Sequence, residues 1–248
     1  MKLVSEAPVY NESKGSKGMF YMLLSAMCFT VTAFLLKLMY LNSNISTYEF
    51  TYWNSIVIGI LNLALVKYNH RDHLLVRVDM RTTLVWRSMS AFIGLSGFYL
   101  AVQYTDLSKA TVLFWTNPMI TAALGYFMIN EALTFVDWFA ILTSFAGILV
   151  VQNPWDKLAE TGKTYEDSMG SIAALVGSVF FSIAQVQTRK MGKKVNFLTI
   201  TLYQAIFSAF IAPLLMIVFL RYRTAHTTHY GWYEVGMIIL ISFTMFLS

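Results

Sequence analysis

Long runs of apolar residues, almost free of charge, alternate along this chain with short polar turns. Eight runs approach the roughly 20 residues that a helix needs to cross a hydrocarbon core about 30 Å thick. They cover Met19 to Leu41, Thr47 to Val66, Thr82 to Gln103, Ala110 to Ile129, Leu133 to Val151, Ser168 to Gln187, Phe197 to Phe219 and Trp232 to Leu247. The pattern predicts an all-α integral membrane protein, a multi-pass bundle. Two connections are longer than the rest, 67–81 and 152–167, and the second reads as a hinge between two halves. Residues 1–17, MKLVSEAPVYNESKGSK, mix charge with Pro, Asn, Ser and Gly. They lack the apolar stretch of a signal peptide and are expected to form a short disordered tail.

Composition narrows the class. The chain is 57% hydrophobic and 12% charged, against about 45–50% and about 25% in globular domains, and its mean hydropathy is +0.58. Soluble classes are excluded on that ground. The formal charge of +5 does not point to nucleic acid, because Lys and Arg sit in clusters between the apolar runs, where they act as topology signals. With the N-terminus in the cytosol, twelve basic residues fall on the inner side and six on the outer. Plasma membrane and endomembrane are not distinguishable from sequence. The single cysteine, Cys28, lies inside the first run, so no intramolecular disulfide can form.

This orientation gives a first prediction. The sequons Asn11-Glu12-Ser13 and Asn44-Ile45-Ser46 should both stay unmodified, the first being cytosolic and the second lying against the bilayer. A glycosidase-sensitive gel shift that Asn11→Gln abolishes would reverse the orientation.

The fourth run is unusual. Nothing between Lys109 and Glu131 is charged, yet Asn117-Pro118 stands in its middle. A proline is tolerated there when neighbouring helices re-satisfy the freed carbonyl. Thr111, Phe114, Pro118, Thr121 and Gly125 recur at helical spacing and form one narrow, partly polar face, which either packs on another helix or lines a cavity.

The chain also carries a weak internal repeat. GMFYMLLSAMCFTVTAFLLK from Gly18 aligns with GSIAALVGSVFFSIAQVQTR from Gly170, setting Ala26 and Thr30 against Ser178 and Ser182 and Lys37 against Arg189. Beyond it TYWN, Thr51 to Asn54, meets TLYQ, Thr201 to Gln204. About five helices precede the second copy, an odd number, so it enters the membrane upside down. Inverted repeats are a recurring feature of secondary transporters.

From Trp86 to Trp155 the sequence resembles the first repeat of the EamA branch of the drug/metabolite transporter superfamily, solute carrier 35-like. The matching features are Arg87 at the start of the third helix, Ala101 and Tyr104 before a short turn, Lys109-Ala110, Asn117-Pro118 at mid-helix, Glu131, and Ala146-Gly147. The resemblance extends over about residues 18 to 247. It implies a ten-helix transporter of small organic solutes, built from two inverted five-helix units and without an ATP site. On it, 18–153 is a first repeat of about five helices, 154–167 a linker, and 168–248 an incomplete second repeat of about three helices that lacks the last two. Where many members carry Arg in the second helix, this chain has Trp53-Asn54.

Five residues are candidates for substrate binding. Arg87 is a cation inside a span, where charge is costly, although snorkelling to the headgroups explains it about as well. Asn54, Gln185 and Gln204 are amides deep enough to need a partner, either solute or another helix. Asn54 and Gln204 are expected to line one central cavity near mid-membrane. Trp115 lies too deep for the interfacial belt that suits Trp53, Trp86, Trp138 and Trp232, and is a candidate cavity wall. In the third helix Arg87, Ser90, Gly94, Gly97, Ala101 and Tyr104 share a face of small residues, suited to close packing or to lining a cavity. Lys37 and Arg189 read as membrane anchors.

No catalytic residue, metal ligand set or cofactor is expected. His70 with His73 and His226 with His229 have a zinc-like spacing, but the topology puts the pairs on opposite sides and neither alone completes a site. No His or Asp lies deep in a span to serve a nucleophile, so the chain is not expected to be an enzyme. The expected function is transport of small organic metabolites by alternating access, ion-coupled or by exchange. The partners are a small-molecule solute and the lipid bilayer, with a homodimer as a further candidate. The alternatives are a non-transporting receptor or assembly subunit, or an inactive truncated transporter.

Overall fold

The chain is an all-α multi-pass membrane bundle. Its computed structural model describes residues 12–68, 78–129, 134–152, 165–192, 195–220 and 231–247. Nine helices occupy the described residues: α1 Glu12–Asn42, α2 Thr47–Tyr68, α3 Val78–Tyr104, α4 Leu107–Phe114, α5 Asn117–Ile129, α6 Phe135–Gln152, α7 Tyr165–Met191, α8 Phe197–Leu220 and α9 Trp232–Leu247. Among the described residues six segments are long and apolar enough to cross a membrane, α4 and α5 together making one of them. α9 and the 135–147 part of α6 are shorter apolar helices.

Local chemistry fixes several helix starts. Ser46 precedes α2, and its backbone N–H donates to Glu49 Oε2 at 2.9 Å. Thr134 and Asp137 exchange bonds in both directions at the start of α6, 2.8 Å and 3.3 Å. Both are S/T-x-x-D/E arrangements that satisfy amides left over at a helix N-terminus. At the start of α8 Asn196 Oδ1 accepts from the Leu198 N–H at 3.2 Å. Gly192 follows α7 with φ of 53°, the left-handed conformation that ends a helix and that glycine adopts without strain.

Several helices start or end a few residues from the expected runs, and two differences are larger. α1 reaches back to Glu12, into the segment expected as a tail, since extending a formed helix is far easier than nucleating one. More consequentially, the fourth run is two helices with a break at Trp115 and Thr116. Pro118 has no N–H to give the carbonyl of Phe114, but in the first turn of a new helix none is required. The chain therefore restarts at Asn117.

Each of α1, α2 and α3 packs on a helix of the C-terminal part, α3 with α7, α2 with α8 and α1 with α9. The contacts run in opposite order along each pair, so all three are antiparallel. The α3–α7 contact is backbone on backbone. A methyl group on Gly97 would stand 2.6 Å from the carbonyl oxygen of Ala173 and 2.8 Å from Cα of Gly177, and one on Gly94 would stand 2.8 Å from the backbone N of Phe181. The small face expected on the third helix is thus a packing face at these two glycines. α2 and α8 meet through Gly59 and Ala205 and through Thr201, which donates to Asn62 Oδ1 at 2.9 Å. α1 and α9 meet through Thr32 and Thr244 at 2.9 Å. Phe29, Phe98, Phe114 and Phe181 fill the middle of the bundle, with ring centroids 4.6 Å apart for Phe98–Phe114 and 5.3 Å for Phe114–Phe181.

Lys37 is turned into the protein. Its Nζ donates to the carbonyls of Val102 and Thr105 at 2.9 and 2.8 Å, so it caps the last turn of α3 instead of reaching to lipid. At the same end of the bundle, Lys109 at the start of α4 pairs with Asp167 in α7 at 2.6 Å.

Candidate functional site

Polar groups inside this apolar bundle gather along one face of α7. Ser178, Ser182, Gln185 and Thr188 follow at steps of four, three and three, so they share a stripe about 15 Å long at 1.5 Å per residue. Each is answered from the N-terminal part of the chain. Ser178 Oγ lies 2.9 Å from Thr116 Oγ1 at the helix break. Ser182 donates to the carbonyl of Asn117 at 2.9 Å, the first residue of α5. Thr121 is 3.5 Å from Gln185 Oε1. Ser178 and Ser182 are fully buried, and Asn117 and Thr121 nearly so.

The stripe ends at Arg87. This residue lies seven positions before Gly94 on α3, hence on the same face, and the antiparallel register brings it to Thr188. Arg87 Nε donates to Thr188 Oγ1 at 3.2 Å, and its Nη1 donates in a short bond to Gln204 Oε1 on α8. Below it Leu84, Met191, Val195 and Ile200 form a buried apolar cluster that closes that end of the bundle. Among the described residues Arg87 has no carboxylate within ion-pair distance; the ion pair described is Lys109–Asp167, at the other end of α7.

The sequence candidates therefore separate. Arg87 and Gln204 meet; Gln185 lies on the same stripe, one turn before Thr188. Thr188 itself was missed, although its place in the polar run Gln185 to Arg189 was a usable signal. Asn54 stands elsewhere, against α9, where its Nδ2 is 3.4 Å from Met245 Sδ and Tyr99 donates to the same sulfur at 3.0 Å. Its Oδ1 is buried without a partner, as are the hydroxyls of Ser96 and Ser242. Asn54 and Gln204 have no hydrogen-bond partner in common. The α2–α8 register pairs Gly59 with Ala205, which puts Asn54 five residues, about 7.5 Å along the axis, from the level of Ala205. Trp115 packs edge-on to Phe29 at 5.5 Å and is 37% exposed. Phe29 in turn borders a lateral groove of about 340 Å³ with Thr30, Val31, Ala33, Phe34, Leu107 and Thr111. Val31 and Phe34 are exposed there, as lipid-facing side chains are.

Among the described residues no group of three or more His, Cys, Asp or Glu side chains is placed to hold a metal. His70, His73, His226, His229 and Glu131 lie outside the described residues.

Residues 16–152 match the EamA-like transporter family. Solute carrier family 35 member G1 of Mus musculus is 28% identical over 192 residues, 75% of this chain and 51% of that protein. The S-adenosylmethionine uptake transporter of Rickettsia prowazekii is 21% identical over 195 residues, 79% of this chain and 62% of that protein. The chain thus spans about half to three fifths of these curated relatives. One solved crystal structure superposes with a TM-score of 0.58 over 88% of this chain and 77% of that one, at 17% identity.

Proposed function

The chain belongs to the EamA-like transporter family, and on that premise we propose that it carries small organic metabolites across a membrane by alternating access. The observation that carries the proposal is the polar stripe on α7, Ser178, Ser182, Gln185 and Thr188, ending on Arg87 and Gln204. Part of this line serves packing, since Ser178 and Ser182 bond across the helix interface. The half-buried groups toward its end, Gln185, Thr188, Arg87 and Gln204, are the ones that offer a polar solute partners an apolar interface would lack. Helix pairing supports two inverted units, 18–153 and 168–248. Exchanging the units about a two-fold axis sends α3–α7 into α9–α1 and returns α2–α8 to itself, and these are the three antiparallel pairs observed. Units related this way rock against each other around a site at their boundary. The stripe lies on such a boundary, between α7 and α3, α4 and α5. The N-terminus is assigned to the cytosol from the distribution of Lys and Arg. Transport is driven by an ion gradient or by exchange, with no chemical step on the solute.

The test is uptake without a preconceived substrate. Liposomes containing the purified chain are incubated with a defined mixture of amino acids, carboxylic acids, nucleosides and S-adenosylmethionine, and their contents are read by mass spectrometry against protein-free liposomes. Enrichment of at least one solute, reduced by Gln185→Leu at equal protein content, is expected. Identical contents with and without protein would remove the proposal.

A further inference from the structure

We propose that Arg87 and Gln204 together form the binding point for an anionic group, a carboxylate or phosphate, on the transported solute. The inference rests on the transport reading above and adds the charge of the cargo to it.

The argument begins with unbalanced charge. A guanidinium stays protonated in any protein environment, and a cation inside a span is tolerated only with a reason. Here its two partners, the hydroxyl of Thr188 and the amide oxygen of Gln204, are neutral. They orient the group but do not neutralise it. Arg87 therefore sits in an apolar bundle as a fixed positive charge with no carboxylate of the described protein against it.

Donor accounting gives the same sign. A guanidinium has five N–H donors, and the two bonds formed leave three. Arg87 can only donate, so the face of Gln204 turned to it is the carbonyl, and the Gln204 NH2 points away with no partner among the described residues. The Thr188 hydroxyl accepts from Arg87 and spends its own hydrogen on the Ala184 carbonyl at 2.9 Å. What remains unpaired on Arg87 and Gln204 themselves is a set of donors around one positive charge; Gln187 Oε1, one residue before Thr188, is buried without a partner and does not take them up. A planar fork of this kind matches carboxylate and phosphate oxygens in pairs. The position suits a cargo site as well, because α3 meets α7 and α8 here at one end of the polar stripe.

Binding can be measured apart from transport. The protein is placed in phosphatidylcholine nanodiscs, and its thermal unfolding is followed by Trp fluorescence with succinate, inorganic phosphate or neutral succinamide, at constant ionic strength and scan rate. Succinate or phosphate is expected to raise the unfolding temperature by ~3 °C, and succinamide to leave it unchanged. Arg87→Gln should lose the response. Gln204→Glu provides a second variant that does not depend on tolerating the loss of Arg87. It puts a carboxylate of the same size where an oxygen already accepts from Arg87, so this protein should unfold above wild type without added anion and no longer respond to succinate.

A succinate response of equal size in wild type and Gln204→Glu would overturn the assignment. So would a wild-type protein indifferent to both anions. If adding phosphatidylglycerol to the nanodiscs abolished the wild-type response, the occupant would be a lipid headgroup and the cargo assignment would fall. Uptake of a neutral solute unaltered by Arg87→Gln would also remove the anion site while leaving transport intact. An anion response that follows Arg87, without uptake of any solute, would retain the site and remove the transport reading.

Discussion

Gly97→Leu is expected to yield almost no monodisperse protein, at least tenfold less than wild type by fluorescence-detected size exclusion of a tagged chain. The cause is geometric. Even the first carbon added at this position falls 2.6 Å from a carbonyl oxygen and 2.8 Å from another Cα, and both are backbone atoms that no rotamer change can move. Filling an already packed core typically costs about 1–3 kcal/mol where side chains can shift; here two helices would have to part along their whole contact. That is a large share of a typical folding stability of about 5–15 kcal/mol. Gly147→Leu is the matched control, since nothing lies within 4 Å of a methyl group placed on α6 at that position. It should purify like wild type. Equal yields of the two variants would mean that the α3–α7 contact does not hold the bundle together.

The second large effect belongs to Lys37. Lys37→Met keeps an unbranched side chain only one atom shorter and removes its charge and donors, leaving the carbonyls of Val102 and Thr105 without the bonds they now receive. Charge-assisted hydrogen bonds contribute about 1.5–3 kcal/mol each, and the membrane reference state lowers this, neutral interhelical bonds averaging about 0.6 kcal/mol. A net loss of ~3 kcal/mol corresponds to a fall of ~8 °C in unfolding temperature for a chain of this size. Lys37→Arg, which keeps the charge and several donors, should recover much of it. A residue that merely held the headgroups would show no such order: Met and Arg variants would unfold together with wild type.

Those two residues also mark what the sequence could and could not reveal. The Gly94 and Gly97 face was legible because close helix packing leaves a periodic trace of small residues. The eight apolar runs were legible for a similar reason, since length and hydropathy are properties of a segment taken alone. Lys37 was not. A lysine snorkelling to lipid and a lysine reaching inward to a neighbouring helix occupy the same kind of position near a helix end, and only the placement of α3 decides between them.

Arg87 stood out as a charge within an apolar run, whereas its partner Thr188 did not, threonine being unremarkable in a membrane helix. The expectation that Asn54 and Gln204 both stand near mid-membrane shows a further limit. Residues that correspond in two antiparallel elements lie at the same depth only if they sit at the midpoint. These two stand seven residues from the starts of α2 and α8, about 10 Å from opposite ends of the bundle.

The break at Trp115 and Thr116 has an electrostatic consequence of its own. A continuous helix carries its terminal partial charges, about half an elementary charge at each end, out to the membrane surfaces. Splitting the segment into α4 and α5 creates a second pair of ends deep in the bundle, negative at Phe114 and positive at Asn117. While the ends touch, the two partial charges largely cancel, and the hydroxyls of Thr116, Ser178 and Ser182 stand beside them; Thr116 donates to the Leu113 carbonyl at 2.8 Å. Drawing α5 away from α4 would expose both charges where little solvent can screen them. The facing partial charges thus add an attraction to the covalent link through Trp115 and Thr116, one that opposes separating the two helices and that a continuous helix would not have at this depth.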